Sequence, residues 1–378
     1  MKYDFDTPIT RRGTGSLKWD RRADLDPFWV ADLDFVSPPE VVAAINERVQ
    51  HGVFGYAVPH DGLNEAILDY LATKHATQAK VEDIIHLGGL VPALSLAARA
   101  FAKPGQALMT CGPIYPPFLG VHNDAELELI SVDHTISDGV GGFDWDAMEA
   151  AVTSETRLFL LCNPQNPLGR VFPESDIIQV AEFCERHDLI LVSDEIHADM
   201  IFDEQATPHF SALRLPEQYQ SRVITLLAPS KTYNIAGLGY SYAVIQDDSL
   251  RRRFNAAKGH TLPEINCISY YAAEAAYRHG EPWRQELMTY LKGNYDLVKS
   301  FMASEFPTVK TMNMEATYLF WMDFRETEIT NPATYFEEKA GLFLSEGSFF
   351  GKPGCTRFNF GSPRERIQEG LEKMAAAK

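Results

Sequence analysis

Leu189-Ile190-Leu191-Val192-Ser193-Asp194-Glu195 decides the fold. Its apolar run is short, continuous and partly β-branched, and it stops at two acids. Such a run reads as a strand buried on both faces. Working outward, Ala107–Cys111, Leu127–Val132, Leu158–Cys162 and Val223–Ala228 are further short runs rich in Val, Ile and Leu. Helix-like segments at Pro92–Phe101 and Glu174–His187 stand between them. Strands alternating with helices predict an α/β protein with a mainly parallel sheet and helices on both faces. Ligands of such sheets gather outside the carboxyl ends of the strands. Asp194 and the turn after Val223–Ala228 are therefore the first places to look for chemistry.

The flanks read differently. Residues 1–36 read as an irregular arm. Ser37-Pro38-Pro39-Glu40 has the pattern of a capping box with proline at the helix start, predicting a helix from Pro39 to about Gln50. Another helix is predicted from Leu63 to His75. After Gly280 the alternation ends, and Pro282–Phe306 reads as one long helix. Thr317–Phe324 and Thr356–Phe360 are strand-like, and Ser362-Pro363-Arg364-Glu365 is a second capping-box pattern before a last helix. The expected organisation is an arm, 1–36, belonging with the small domain, then a large domain, 37–281, and a small α+β domain, 282–378.

At 378 residues the chain is too long for one simple core, and 45% hydrophobic with 23% charged residues is ordinary globular composition. The net charge is −18, and no basic run exceeds Arg251-Arg252-Arg253. That argues against nucleic-acid binding. The acidity reads as a solvated surface, so an anionic substrate would need specific arginines. Cys111, Cys162, Cys184, Cys267 and Cys355 form no CxxC pair and no metal-ligand spacing. They fit a reducing cytoplasm. The opening MKYDFDTPITRRGTGSLKWD has no apolar secretion core, and no apolar run approaches a membrane span of about 18 residues. The expectation is a cytoplasmic protein with no membrane and no metal.

Four segments carry candidate chemistry. Ala228-Pro229-Ser230-Lys231-Thr232-Tyr233-Asn234 puts one lysine in a turn at a strand end. A lysine of lowered pKa there can form an imine with a carbonyl cofactor, although most lysines are simply solvated. Asp194 could pair with a protonated pyridine nitrogen, as pyridoxal 5′-phosphate (PLP) requires, or cap a helix, or be a surface acid. About one strand–helix–strand unit separates it from Lys231, so the two can lie on neighbouring strands. Asn163-Pro164-Gln165-Asn166-Pro167-Leu168-Gly169 is a proline-stiffened turn whose amide could donate to a phenolate oxygen; a structural Asx turn reads equally well. Gly88-Gly89-Leu90-Val91-Pro92 opens a helix whose free N–H groups suit a phosphate, though a glycine pair there is common.

Further motifs join these: Trp29-Val30-Ala31-Asp32-Leu33-Asp34-Phe35, Val53-Phe54-Gly55-Tyr56, Ser193-Asp194-Glu195-Ile196-His197, Leu344-Ser345-Glu346-Gly347-Ser348 and Arg357-Phe358-Asn359-Phe360. Together they make the chain, over nearly its whole length, resemble the fold-type I PLP enzymes of the class I/II aminotransferase superfamily. Within it the resemblance is to the MalY/PatB group of cysteine-S-conjugate, cystathionine β-lyase-like enzymes. The resemblance implies the PLP-dependent transferase fold, with a large domain around the sheet and a smaller C-terminal α+β domain.

It also implies roles. Lys231 matches the Schiff-base lysine, Asp194 the pyridine-nitrogen partner, Asn166 the amide at the phenolic oxygen and Tyr115 the aromatic residue stacked on the ring. The N–H groups of Leu90 and Val91 and the Ser230 hydroxyl match phosphate ligands. Tyr56 matches a tyrosine that reaches the phosphate from a second subunit, implying a homodimer. Arg357 matches the arginine that clamps the substrate α-carboxylate. Two positions depart from many superfamily members. His197 stands where many carry tyrosine, as is common in the β-lyase-like group; it is placed at the cofactor, and a structural hydrogen-bonded histidine reads at least as well. Gly239 replaces a basic phosphate-binding residue, which leaves that duty to backbone N–H groups, Ser230 and Tyr56, or to a further base.

The implied reaction is β-elimination from an S-substituted L-cysteine to a thiol, pyruvate and ammonia, with Lys231 as the general base at Cα. An aminotransferase would use the same site. A regulatory protein-binding role, as in one member of the group, is a second alternative. A catalytically dead module is a third, against which the intact Lys231, Asp194 and Arg357 argue.

Overall fold

The computed structural model describes residues 2–259 and 262–378, so of the arm only the first residue lies outside. At its centre is a seven-stranded sheet. The spatial order is Ile84–Leu87, Ser241–Val244, Val223–Leu227, Ile190–Asp194, Thr156–Cys162, Ala107–Gly112, Glu128–Asp133. The last five strands run parallel to one another. Ser241–Val244 is antiparallel to both neighbours. Each strand expected from sequence is present within about two residues of its expected ends.

Why the inner strands are almost uniformly apolar is visible in the packing. Successive side chains of Thr156–Cys162 point to opposite faces. Leu158, Leu160 and Cys162 join the apolar layer of helix Leu90–Phe101. Phe159 and Leu161 join the layer that holds Ile177, Val180, Ala181 and Phe183 of helix Glu174–Arg186. With helices on both faces, neither set of side chains meets water.

Helix Glu281–Glu305 leads into the small lobe, an antiparallel sheet in the order Lys310–Thr311, Leu319–Asp323, Cys355–Asn359, Ser345–Glu346. The N-terminal arm lies on this lobe, with Asp26–Pro27 pairing parallel to Leu342–Phe343. Asp34 ties it down by accepting from Arg11 and Lys18 at 2.7 Å, from the Trp19 indole at 2.8 Å and from Ser362. Burial alone would raise the Asp34 pKa, but Lys18 and the hydrogen bonds win and hold the carboxyl well below the usual carboxylate range. Among the described residues no helix is long and apolar enough to cross a membrane.

Both capping boxes expected from sequence fail to form. Helices Pro39–His51 and Arg364–Ala376 begin after Pro38 and Pro363, with no side-chain cap. Ser37 Oγ instead donates to the Asn234 carbonyl at 3.0 Å, and Ser362 Oγ donates to Asp34. In each case a partner distant in sequence took the hydroxyl that a local cap would have used.

Candidate active site

Asp194 is the last residue of its strand and lies in register with Leu226 of the next. Lys231 follows that neighbouring strand by four residues, so both side chains reach the carboxyl end of the sheet. They line a cavity of about 230 Å³ together with Leu90, Val91, Tyr115, Asn166, His197 and Ser230. Tyr115, Lys231 and Ala31 also line an adjoining cleft of about 650 Å³, walled by Trp29, Phe343, Phe349, Phe350 and Arg357. Nine of the ten residues given site roles from the sequence therefore border this joined space. Tyr56 does not: it is fully exposed, on the loop between helices Pro39–His51 and Asp61–Lys74.

The Lys231 ammonium donates to the Ala31 carbonyl at 2.6 Å. Burial pushes its pKa down to about 8, against a smaller opposing pull from Asp32. Asp194 is buried and, among the described residues, accepts only from the Ile196 N–H, at 3.0 Å. Burial pushes its carboxyl up to about 7. A carboxylate so poorly compensated is suited to a cationic partner. Burial also raises the Tyr115 phenol, and it lowers His197 to about 3 with help from the charges of Lys231 and Arg357. His197 is thus neutral, and its Nδ1 has no partner among the described residues.

Arg357 is buried on an inner strand of the small sheet, paired with Trp321 on one side and Ser345 on the other, and it lines the cleft. It donates through Nη1 to Asn166 Oδ1 at 2.9 Å, and through Nη2 to the Trp29 carbonyl at 2.8 Å and Ser345 Oγ at 3.3 Å. The guanidinium sits 4.7 Å from the Phe350 ring, and its Nε–H is buried without a partner. Asn166 spends its carbonyl oxygen on Arg357, which leaves its amide N–H₂ to donate.

Helix Leu90–Phe101, which also borders the cavity, begins immediately after Gly88-Gly89, so its first N–H groups are free of intrahelical partners. Gly239 has a left-handed backbone, φ +63°, and a Cβ there would stand 3.3 Å from the Gly88 carbonyl. The place that carries a base in many superfamily members thus holds a turn that a side chain would strain.

Sequence reasoning missed several contributors. The Ala31 and Trp29 carbonyls hold the lysine and the arginine, Tyr318 donates to Ala31 at 3.1 Å, and Ser345 touches Arg357. The WVADLDF stretch was the available signal, but its contribution here is backbone oxygen, which no side-chain pattern announces.

A family model described as aminotransferase class I and II matches residues 30–374. The chain belongs to that family. It is 34% identical to the cystathionine β-lyase PatB of Bacillus subtilis, over 99% of each chain. The crystal structure of OvoB, 36% identical, superposes with a TM-score of 0.96 over 99% of both chains. The PLP-bound C–S lyase of Staphylococcus hominis, 30% identical, superposes with a TM-score of 0.92 over 100% of this chain and 98% of that one. The class I/II fold therefore covers both lobes, including the small-lobe strand that carries Arg357.

Proposed function

We propose that this chain is a PLP-dependent C–S β-lyase acting on S-substituted L-cysteines and releasing a thiol, pyruvate and ammonia. The observation that carries the reading is the convergence of Asp194, at the end of one strand, and Lys231, in the turn after the neighbouring strand, at one cavity that also borders a helix start. The donor set fits the cofactor. Leu90 N–H, Val91 N–H and the Ser230 hydroxyl would take the phosphate. Asp194 would face the ring nitrogen, Asn166 the phenolic oxygen and Tyr115 the ring face, and Lys231 would hold the group covalently through Nζ. When bound, PLP supplies an electron sink that makes the Cα–H of an amino acid acidic.

The chain's own groups do the rest. In the cofactor-free chain burial lowers the Lys231 pKa to about 8, which favours the neutral amine that a base at Cα must be. Arg357 anchors the α-carboxylate. Its unpartnered Nε–H lies ready, and its long 3.3 Å bond to Ser345 is the one an arriving carboxylate would exchange, freeing Nη2 for a two-pronged grip. Such a grip sets the orientation of the Cα–H bond. His197, neutral at the cavity wall, would sit beside the cofactor as a neutral hydrogen-bonding group. Tyr56 would complete the phosphate site of a second subunit in a homodimer. Elimination rather than transamination is favoured by relatives named cystathionine β-lyase and C–S lyase.

The test is pyruvate release from L-cystathionine and from simple S-alkyl cysteines with no keto acid added. Steady multiple turnover is expected. Stalling after one turnover, relieved by 2-oxoglutarate, would make the protein an aminotransferase instead.

A further inference from the structure

Among the described residues, one group outside the active site combines side chains that bind metals: His75, Glu195 and His209. They come from three separate segments. His75 caps the end of helix Asp61–Lys74, Glu195 follows strand Ile190–Asp194, and His209 lies in the connection before Ala212–Arg214. Each offers one ligand atom, and the three atoms lie within 4.8 Å of one another. His75 is 3% exposed and Glu195 1%.

The hydrogen bonds fix the roles of the ring nitrogens. Tyr70 donates its hydroxyl to Asp199 at 3.0 Å, so its oxygen accepts from His75 Nε2–H at 3.1 Å. That leaves His75 Nδ1 as a bare lone pair, buried and without a donor. His209 Nε2 meets Glu195 Oε2 at 2.9 Å, and its own Nδ1 is likewise buried and unpartnered. Glu195 Oε1 is held in place by Ser193 Oγ at 2.9 Å and the Ala212 N–H at 2.8 Å. A histidine whose far nitrogen is bonded to a hydroxyl backed by a carboxylate, and a carboxylate braced by two donors, are the outer supports that metal ligands usually have. A buried imidazole lone pair with nothing to accept is otherwise uncompensated.

We propose that His75, Glu195 and His209 bind one divalent zinc ion, with water in the fourth position. Imidazole and carboxylate together suit zinc. Donors around a tetrahedral zinc stand about 3.4 Å apart, so the three groups need to draw in by less than about 1.5 Å. His209 gives up its Nε2 proton as the metal binds, to solvent or by tautomerising to the unpartnered Nδ1, and the direct bond between His209 and Glu195 is exchanged for two bonds to the metal. The ion enters past the groove formed by Ala206, Pro208 and Arg214, which His209 also borders. Its role is to pin helix Asp61–Lys74 and the 203–211 connection to the end of the strand that carries Asp194. This proposal does not rest on the lyase reading.

The experiment uses the cofactor-loaded protein, stripped with dipicolinate and freed of excess PLP. It is titrated with zinc chloride by calorimetry, and the retained metal is counted by mass spectrometry after gel filtration. Roughly one zinc per chain is expected, lost in His209→Gln. Tyr70→Phe, a small change that removes the hydroxyl linking His75 to Asp199 and leaves all three ligands in place, should weaken binding about 10- to 100-fold and so tests the site even if His209→Gln fails to fold. A wild-type protein that retains no zinc overturns the proposal. So does zinc held equally by wild type, His209→Gln and Tyr70→Phe, which would place the metal on surface histidines.

Discussion

Replacing Arg357 with lysine tests the anchoring argument most directly. The charge survives, but the planar fork does not. In the free protein the fork makes three hydrogen bonds, to Asn166, Trp29 and Ser345, and it retains the Nε–H for a substrate. A lysine offers one nitrogen to the same surroundings. If it stays with the Trp29 carbonyl it reaches the carboxylate poorly, and if it turns to the carboxylate it abandons that carbonyl. Losing one charge-assisted hydrogen bond to the substrate is worth about 1.5–3 kcal/mol. At about 1.4 kcal/mol per factor of ten, kcat/KM should fall about 10- to 150-fold. Both parameters should move, with KM rising because the carboxylate is held less firmly and kcat falling because the Cα–H direction is no longer set. The assay couples pyruvate release from L-cystathionine to lactate dehydrogenase. Cofactor absorbance and circular dichroism establish that the variant is loaded and folded. A loaded Arg357→Lys protein with kcat/KM within about threefold of wild type would refute the assignment of Arg357 to the carboxylate.

Further outcomes follow from the charges and surfaces. In the cofactor-free protein, burial holds the Lys231 pKa near 8, below its ordinary value of 10.5. The folded state therefore disfavours the charged lysine, a cost fully present below pH 8 and gone above about pH 10.5. Lys231→Met should accordingly be more stable than wild type by up to about 3 kcal/mol at pH 7, with the gap closing as pH rises towards 10.5. Denaturant titrations of both proteins at the two pH values check this, and a gap independent of pH would count against it. Asp34→Ala strips the buried Lys18 of its 2.7 Å partner and should destabilise the protein by about 3–5 kcal/mol, read as a lower denaturant midpoint. Sedimentation should show a dimer, and Tyr56→Phe should weaken PLP retention about 10- to 100-fold through one lost charge-assisted hydrogen bond. A monomer with full activity would remove Tyr56 from the site.

What the sequence determined by itself was whatever rests on local pattern. Period and length placed the buried strands, because a strand covered on both faces must be apolar at every position. Helix starts after Gly88-Gly89 and the acid at the end of Ile190–Asp194 were legible for the same reason, and the spacing of Asp194 from Lys231 already suggested neighbouring strands. Other features had no local mark. Ser37 and Ser362 had the sequence of caps, yet distant acceptors took their hydroxyls. The antiparallel place of Ser241–Val244 depends on which edge the chain returns to. The Ala31 and Trp29 carbonyls that hold Lys231 and Arg357 are backbone atoms, identical in every residue, so only the folded path of the arm could put them there. The meeting of His75, Glu195 and His209 belongs to the same class. Sequence spacing reports ligands carried on one element, and these three come together only because a helix end, a strand end and a loop pack against one another.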